Sequence, residues 1–250
     1  MGRELHRRCD RVELPETRLV TFRARVALID IEGTVGSIAF VRDVLFPYAQ
    51  ERMEGYIATH REEPWMRAIL DEAAREAGLD VHDLPGITAA LMRWARDDVK
   101  VTPLKELQGR IWVEGFESSG IRGHLYDDAV DALHRYHDAG IALYIYSSGS
   151  IAAQKLLFGH TVAGDLLHLF RGFYDTTIGG KRECVSYERI LGEIGSAPNE
   201  TIFFSDNVAE LDAAREAGIQ TVQLARPQDG TVPTTAHTSV ESFAQIDLIR

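Results

Sequence analysis

The chain has 250 residues, 45% hydrophobic and 26% charged, enough for one large domain or for one domain carrying a smaller insertion. A formal net charge of -11 argues against nucleic acid and anionic membrane surfaces as partners, and an anionic substrate would need a metal or placed cations beside it. Two cysteines, Cys9 and Cys184, are too few for a disulfide framework and fit a reducing cytoplasm.

Residues 1–24 read as an N-terminal extension, polar and frayed. Its basic residues 1–11 lead into no apolar core of a secretory signal, and no window of the chain has the apolar length of a membrane span. Residues 25–30 are the first core strand, and they run straight into Asp30-Ile31-Glu32-Gly33-Thr34. A helical pattern starts at Phe40, with Val41, Val44, Leu45 and Tyr48 on one side and Arg42 and Asp43 on the other. Pro47 falls inside it and bends or restarts the helix. Further helices are predicted over 66–77, stopped by Gly78, over 87–98 and over 104–112. No strand is predicted between 38 and 120. Roughly 80 residues of helix are too many for a simple crossover, so residues 38–120 are assigned to an inserted helical cap.

The α/β rhythm then resumes. A helix over 127–138, closed by Gly140, leads to a strand over 141–146 that ends in Ser147-Ser148-Gly149-Ser150. A helix over 151–158 precedes a strand over 172–178 ending at Gly179-Gly180-Lys181. A helix over 185–194 precedes a strand over 201–204 ending at Ser205-Asp206-Asn207. A helix over 208–217 and a strand over 219–224 complete the pattern, and the Pro/Thr/Gly-rich residues 227–237 read as a surface loop. Strands alternating with helices predict an α/β fold, a Rossmann-like doubly wound parallel sheet covered on both faces. Residues 25–37 and 121–250 would form this core. No heptad seam or exposed apolar helix calls for a second copy, so a monomer is expected.

Four strand ends carry polar residues: Asp30 with Glu32, Ser147 with Ser148, Lys181, and Asp206. In a parallel sheet these ends meet at one edge, where open α/β folds bind ligands. Asp30 and Asp206 are hard oxygen donors suited to magnesium, which takes one or two carboxylates and leaves its other positions to water and phosphate. The structural alternative is that each caps the turn or helix that follows it. Glu32 is placed to protonate a leaving alkoxide and then deprotonate a water, or else is a solvent-facing loop residue. Ser147 and Ser148, at a helix N-terminus, suit an anion; so does an ordinary serine cap. Lys181 would supply a point charge to a phosphate oxygen, unless it is a solvated loop lysine.

This set resembles the four motifs of the phosphatase branch of the haloacid dehalogenase superfamily. Most of that branch has Asp where Glu32 stands, and the longer stretches narrow the match. Phe40-Val41-Arg42-Asp43-Val44-Leu45-Phe46-Pro47-Tyr48-Ala49, Lys105-Glu106-Leu107-Gln108-Gly109-Arg110-Ile111-Trp112 and Tyr146-Ser147-Ser148-Gly149-Ser150 resemble the enolase-phosphatase (acireductone synthase) family. So do Gln154-Lys155-Leu156-Leu157-Phe158-Gly159, Phe173-Tyr174-Asp175-Thr176-Thr177-Ile178-Gly179, and Ser205-Asp206-Asn207 with Glu210-Leu211-Asp212-Ala213-Ala214.

The resemblance implies a haloacid dehalogenase-like fold and a magnesium-dependent step of methionine salvage, with one Mg2+ per chain. A small phosphorylated diketone, 2,3-diketo-5-methylthiopentyl-1-phosphate, would be enolised and then dephosphorylated to acireductone. It further implies Asp30 as the nucleophile that forms an aspartyl-phosphate, and Glu32 as general acid/base. Asp30, the backbone carbonyl of Glu32 and Asp206 would hold the metal, and Ser147, Ser148 and Lys181 the substrate phosphate. Where the family follows Gly-Thr with further Thr and a Pro, this chain has Val35-Gly36-Ser37, a loop expected to face the site and bear on substrate preference. Two alternatives stand beside this reading: a related phosphatase for another small phosphorylated keto compound, and a catalytically silent binding protein on the same fold.

Overall fold

The computed structural model describes residues 19–118 and 120–250. Strands β1 (Val20–Arg23) and β2 (Val26–Ile29) come first. Helix α1 (Ile38–Phe40), a π-helical turn at Val41–Leu45, α2 (Phe46–His60), α3 (Pro64–Ala77), α4 (Leu84–Arg96) and α5 (Thr102–Ser118) follow. The chain continues through α6 (Asp127–Asp138), β3 (Ala142–Tyr146), α7 (Ile151–Gly159), β4 (Phe170–Tyr174) and α8 (Cys184–Ile194). It closes with β5 (Thr201–Ser205), α9 (Val208–Glu216), β6 (Gln220–Leu224), β7 (Thr238–Val240) and β8 (Ile246–Ile249).

Six strands form one parallel sheet in the order β4-β3-β2-β5-β6-β7. The four residues of β2 are all buried, because a parallel strand covered on both faces needs an unbroken apolar run rather than an alternating one. On one face Ile29, Leu133, Tyr136 and Phe204 share a core; on the other Leu28, Tyr146, Tyr187 and Phe203 do. From β2 the chain's next sheet strand, β3, lies on one side, and β5 lies on the other. The strand order thus reverses at β2, and the crevice at such a switch point is where this architecture takes ligands. Register sets what meets there. Ile29 pairs with Ile145 and with Phe204, so Asp30 stands level with Tyr146 and Ser205 at the carboxyl edge.

Helices α2 to α5 bury a core of their own, with Met53, Ile57, Met66, Leu91 and Leu107 among its residues. Pro47 lies in the first turn of α2 directly after the π-helical turn, so the missing N–H is absorbed by a change of helix type and the helix restarts. Helix α5 runs to Ser118, six residues beyond the predicted end, because Gly115 and Phe116 are buried on the same face as Leu104 and Ile111.

Four strands differ from the sequence expectation, β1 and its partner β8 among them. Within the segment read as an extension, Val20–Arg23 form β1, which pairs in parallel with β8 at the far end of the chain. A four-residue strand whose only partner lies more than two hundred residues away leaves no local pattern to read. The frayed reading of residues 1–18 falls outside the described residues. The strand predicted over 172–178 ends at Tyr174, because Asp175 accepts from the backbone N–H and hydroxyl of Thr177 (2.9 and 2.6 Å) and turns the chain. Strand β7, after the loop over 227–237, extends the sheet beyond the last strand predicted.

Candidate active site

Asp30 follows the last residue of β2, and its backbone N–H donates to the Phe204 carbonyl at 2.9 Å, which carries the sheet pairing into the loop that follows. Asp30 is 5% exposed. The Lys181 ammonium donates to Asp30 Oδ1 at 2.5 Å and stands 2.6 Å from Glu210 Oε2, which also accepts the Ser205 hydroxyl at 3.0 Å. Lys181 itself is fixed from behind: Tyr187, buried under β5, donates its hydroxyl to the Lys181 carbonyl at 2.7 Å. Burial disfavours the ammonium, but Asp30 and Glu210 outweigh it and raise the Lys181 pKa, so the lysine is charged throughout the working range.

The loop after Asp30 is a tight turn in which the N–H groups of Thr34, Val35 and Gly36 all point at the Ile31 carbonyl. Gly33 adopts a φ of 72°, and a Cβ there would sit 2.7 Å from Asp206 Oδ2. Only glycine lets the Asp206 carboxylate lie against this loop beside Asp30. The Asp206 carboxyl is pushed up to about 7, by burial first and then by Asp30 and Glu210. Glu32 opens onto solvent through the cavity while protein crowds its other sides. That crowding and then the Asp30 charge raise its pKa, with Lys181 pulling the other way.

The underside of the loop is held by Arg226, buried just after β6. Its Nε and one NH2 group donate to the Thr34 carbonyl (3.1 and 2.9 Å), and its other nitrogen makes two 2.9 Å bonds to Asp128 on α6. Val35 is fully buried in the core and its carbonyl accepts from Tyr126. This corrects the expectation for Val35-Gly36-Ser37: the valine is turned into the core, and none of the three residues lines the cavity described next. The loop therefore supports the site from below and does not form its wall.

A cavity of about 340 Å³ separates the sheet edge from the inserted helices. Glu32 and Ser147 to Ser150 line it from the core; Leu45, Phe46, Leu104, Gln108 and Trp112 line it from the helices. Ser147 is buried and Ser148 is exposed to the opening. At the start of α7, the Ile151 N–H is already taken by Asp175 Oδ2 at 3.1 Å and the Ala153 N–H by Ser150 Oγ at 3.3 Å. The anion site offered here thus rests on the serine hydroxyls and Lys181 more than on the helix amides. Gln154 braces the serine loop by donating from Nε2 to the carbonyls of Gly149 and Tyr174 (2.7 and 2.9 Å).

Asp30, Lys181 and Asp206 thus converge, with Glu32, Ser147 and Ser148 on the adjoining cavity wall. Sequence reasoning gave no separate role to Glu210. It lies in the first turn of α9, where an acidic residue reads as an ordinary partner for the helix dipole. The signal available was its spacing, one helical turn beyond the strand-end Asp206.

The donor set fits a hard divalent cation. Three carboxylates face one ammonium; two of them bond to it, and among the described residues no cation pairs with Asp206. No cluster of three His, Cys, Asp or Glu side chains forms a cage among the described residues. Magnesium does not need one, since it retains waters and takes substrate phosphate oxygens.

Residues 24–218 match the family model of the haloacid dehalogenase-like hydrolases. Over 222 residues the chain is 47% identical to enolase-phosphatase E1 of Methylococcus capsulatus, covering 89% of this chain and 97% of that protein. Enolase-phosphatase E1 of Aquifex aeolicus is 42% identical over 224 residues, 90% of this chain and 99% of its own. Among solved structures, the UTR4 protein of Saccharomyces cerevisiae superposes with a TM-score of 0.76 at 34% identity, over 88% of this chain and 99% of that one. With Asp30, the helical insertion, Lys181 and Asp206 following in that order, the chain belongs to the haloacid dehalogenase-like hydrolases, and within them to the enolase-phosphatase E1 family.

Proposed function

We propose that this chain is a magnesium-dependent enolase-phosphatase that converts 2,3-diketo-5-methylthiopentyl-1-phosphate to acireductone and phosphate in methionine salvage. It acts as a cytoplasmic monomer with one Mg2+ per chain. The observation that carries the reading is the Asp30–Lys181–Glu210 chain of contacts beside Asp206, opening through Glu32 and the serine loop into a cavity whose other wall is mostly apolar, with Asp98, Lys100 and Lys105 at its rim. Charge for a phosphate at one end and an apolar wall beyond suit a small phosphorylated compound with an apolar tail.

Asp30 attacks phosphorus, forming the aspartyl-phosphate as the bond from phosphorus to the substrate oxygen breaks. Glu32, whose pKa is raised by burial and then by the Asp30 charge, gives that oxygen its proton. The same carboxylate then takes a proton from the water that attacks phosphorus, which frees phosphate and restores Asp30. Lys181 and the hydroxyls of Ser147 and Ser148 orient the phosphoryl group, and Glu210 holds Lys181 in place. Asp30, the Glu32 carbonyl and Asp206 would hold the magnesium, which supplies charge neutralisation of the transferring phosphoryl group. Residues 38–120 serve as the cap that keeps bulk water from the site.

The test is to follow the diketone absorbance and phosphate release together on the purified protein. Enol formation ahead of phosphate release is expected with magnesium present, and an Asp30→Asn variant should lose phosphate release by at least about 10³-fold. Phosphate release without an enol would favour a plain phosphatase. Full activity in Asp30→Asn would sink the covalent route, and inactivity of the parent on every phosphate ester would favour a binding protein.

A further inference from the structure

On α5, Leu104, Gln108, Trp112 and Phe116 are spaced four residues apart, a spacing that puts them along one face of the helix, and all four line the cavity. Leu104 and Phe116 carry no polar atom. The Trp112 ring N–H is already spent on the Leu45 carbonyl at 2.8 Å. Gln108 is the exception in the stripe. It is only 7% exposed, and among the described residues no side-chain hydrogen bond engages its carboxamide. The charged cap residues around the cavity, Asp98, Lys100 and Lys105, stand exposed at its rim, and Lys100 is paired with Asp98.

The Gln108 carboxamide is not sealed in: among the described residues the enclosed polar side-chain atoms without a partner belong to Arg110, Gln154 and Ser186, so the Gln108 amide opens onto the cavity, where water solvates it until a ligand displaces that water. The position makes sense if the amide's partner arrives with the ligand. Across the cavity from Gln108 stand Glu32 and Ser147 to Ser150. A ligand whose phosphate lies at the sheet edge and whose remainder fills the cavity would share that space with this amide.

We propose that Gln108 is a specificity-determining residue: its Nε2–H donates to a carbonyl oxygen in the middle of the substrate, so that the cap selects oxo-substituted phosphate esters over unsubstituted ones. This inference rests on the phosphatase reading above and adds the group that recognises the carbonyl.

The experiment compares the parent with Gln108→Met, which keeps the volume and removes the donor, and with Gln108→Glu, which keeps the acceptor and removes the donor. Each is assayed with magnesium on a 2,3-dioxoalkyl 1-phosphate and on phenyl phosphate, an ester with no carbonyl. Both substrates are read on the same preparation, so a partly misfolded variant lowers both rates and leaves their ratio intact. The expected result is a loss of about tenfold in the ratio of kcat/KM for the dioxo compound to that for phenyl phosphate, in both variants. A parent that prefers the dioxo compound, with variants of unchanged ratio, overturns this inference alone. A parent with no preference between the two esters overturns the proposed substrate and this inference with it.

Discussion

The core wall of the cavity is held together by charge, the cap wall by apolar packing. Asp30, Lys181 and Glu210 are each under a tenth exposed and bonded to one another, and the Ser205 hydroxyl and Tyr187 tie them to the sheet. Facing the adjoining cavity, α5 presents leucine, tryptophan and phenylalanine with one amide and, at the rim, Lys105, and behind that face α2 to α5 share a core distinct from the two that cover the sheet. Directional bonds at strand ends hold reacting atoms in place, as phosphoryl transfer requires. Apolar packing is less directional and tolerates changes of side chain that keep volume. Under the proposed function, this division would leave bond-making to the sheet edge and substrate choice to the inserted helices.

The largest expected effect comes from removing the one cation of the core wall. Lys181→Met leaves Asp30, Glu210 and Asp206 facing each other with no ammonium between them. Loss of a buried partner of this kind costs about 3–5 kcal/mol, and phosphate release should fall by about 10²–10³-fold or more. Urea unfolding and a phosphate assay measure the two. Adding Glu210→Gln should restore part of the stability and none of the activity. If Lys181→Met unfolds at the parent's urea concentration, charge is not what holds this wall.

A smaller effect tests whether the two cores are separate. Leu91 is fully buried among the cap helices, and Leu91→Ala should cost about 2–4 kcal/mol. The loss should appear as faster amide hydrogen exchange in α2 to α5, with β2 and β5 keeping their protection. Equal acceleration in the sheet would mean that insertion and core unfold as one unit.

The smallest effect is a gain. The Asp206 carboxyl titrates near 7 in the folded chain, against about 4 for a free carboxyl. Its folded pKa lies above its unfolded one, so the folded state holds the proton more tightly. The resulting contribution is fully present below about pH 4 and is lost as pH rises from there through about 7. In chelator, Asp206→Asn should therefore raise stability at pH 8 by about 1 kcal/mol, a figure reduced for the partial exposure of the group. It should also flatten the pH dependence between those limits. Magnesium should stabilise the parent and leave the variant nearly unmoved. Thermal midpoints across pH, with chelator and with magnesium, decide it. A metal-free parent with no loss of stability over that range would remove the charge argument for a cation beside Asp206.

Much of the architecture was legible in the chain because the physics behind it is local. The apolar runs ending in Asp30, Ser147 and Asp206 could only be strands buried on both faces, and polar groups at the ends of such strands gather at one edge. The stop signals were local too: Gly78 closes α3 in a left-handed conformation, with φ at 67°. Roles that depend on distant partners were not legible. Glu210 reads as a helix-start acid until it is seen against Lys181. Arg226 reads as one residue before a proline-rich loop until it is seen gripping the Thr34 carbonyl and Asp128.

The sequence alone determined five of the sheet's six strands and the family, because each is written in spacing along a few consecutive residues. Tertiary structure decided which way those residues face. It paired β1 with β8, turned Val35 into the core and laid Asp206 against Gly33. It also aimed the Gln108 stripe at the cavity. These outcomes depend on what packs across from a residue, and contacts between segments far apart in the chain leave no periodic trace within either one.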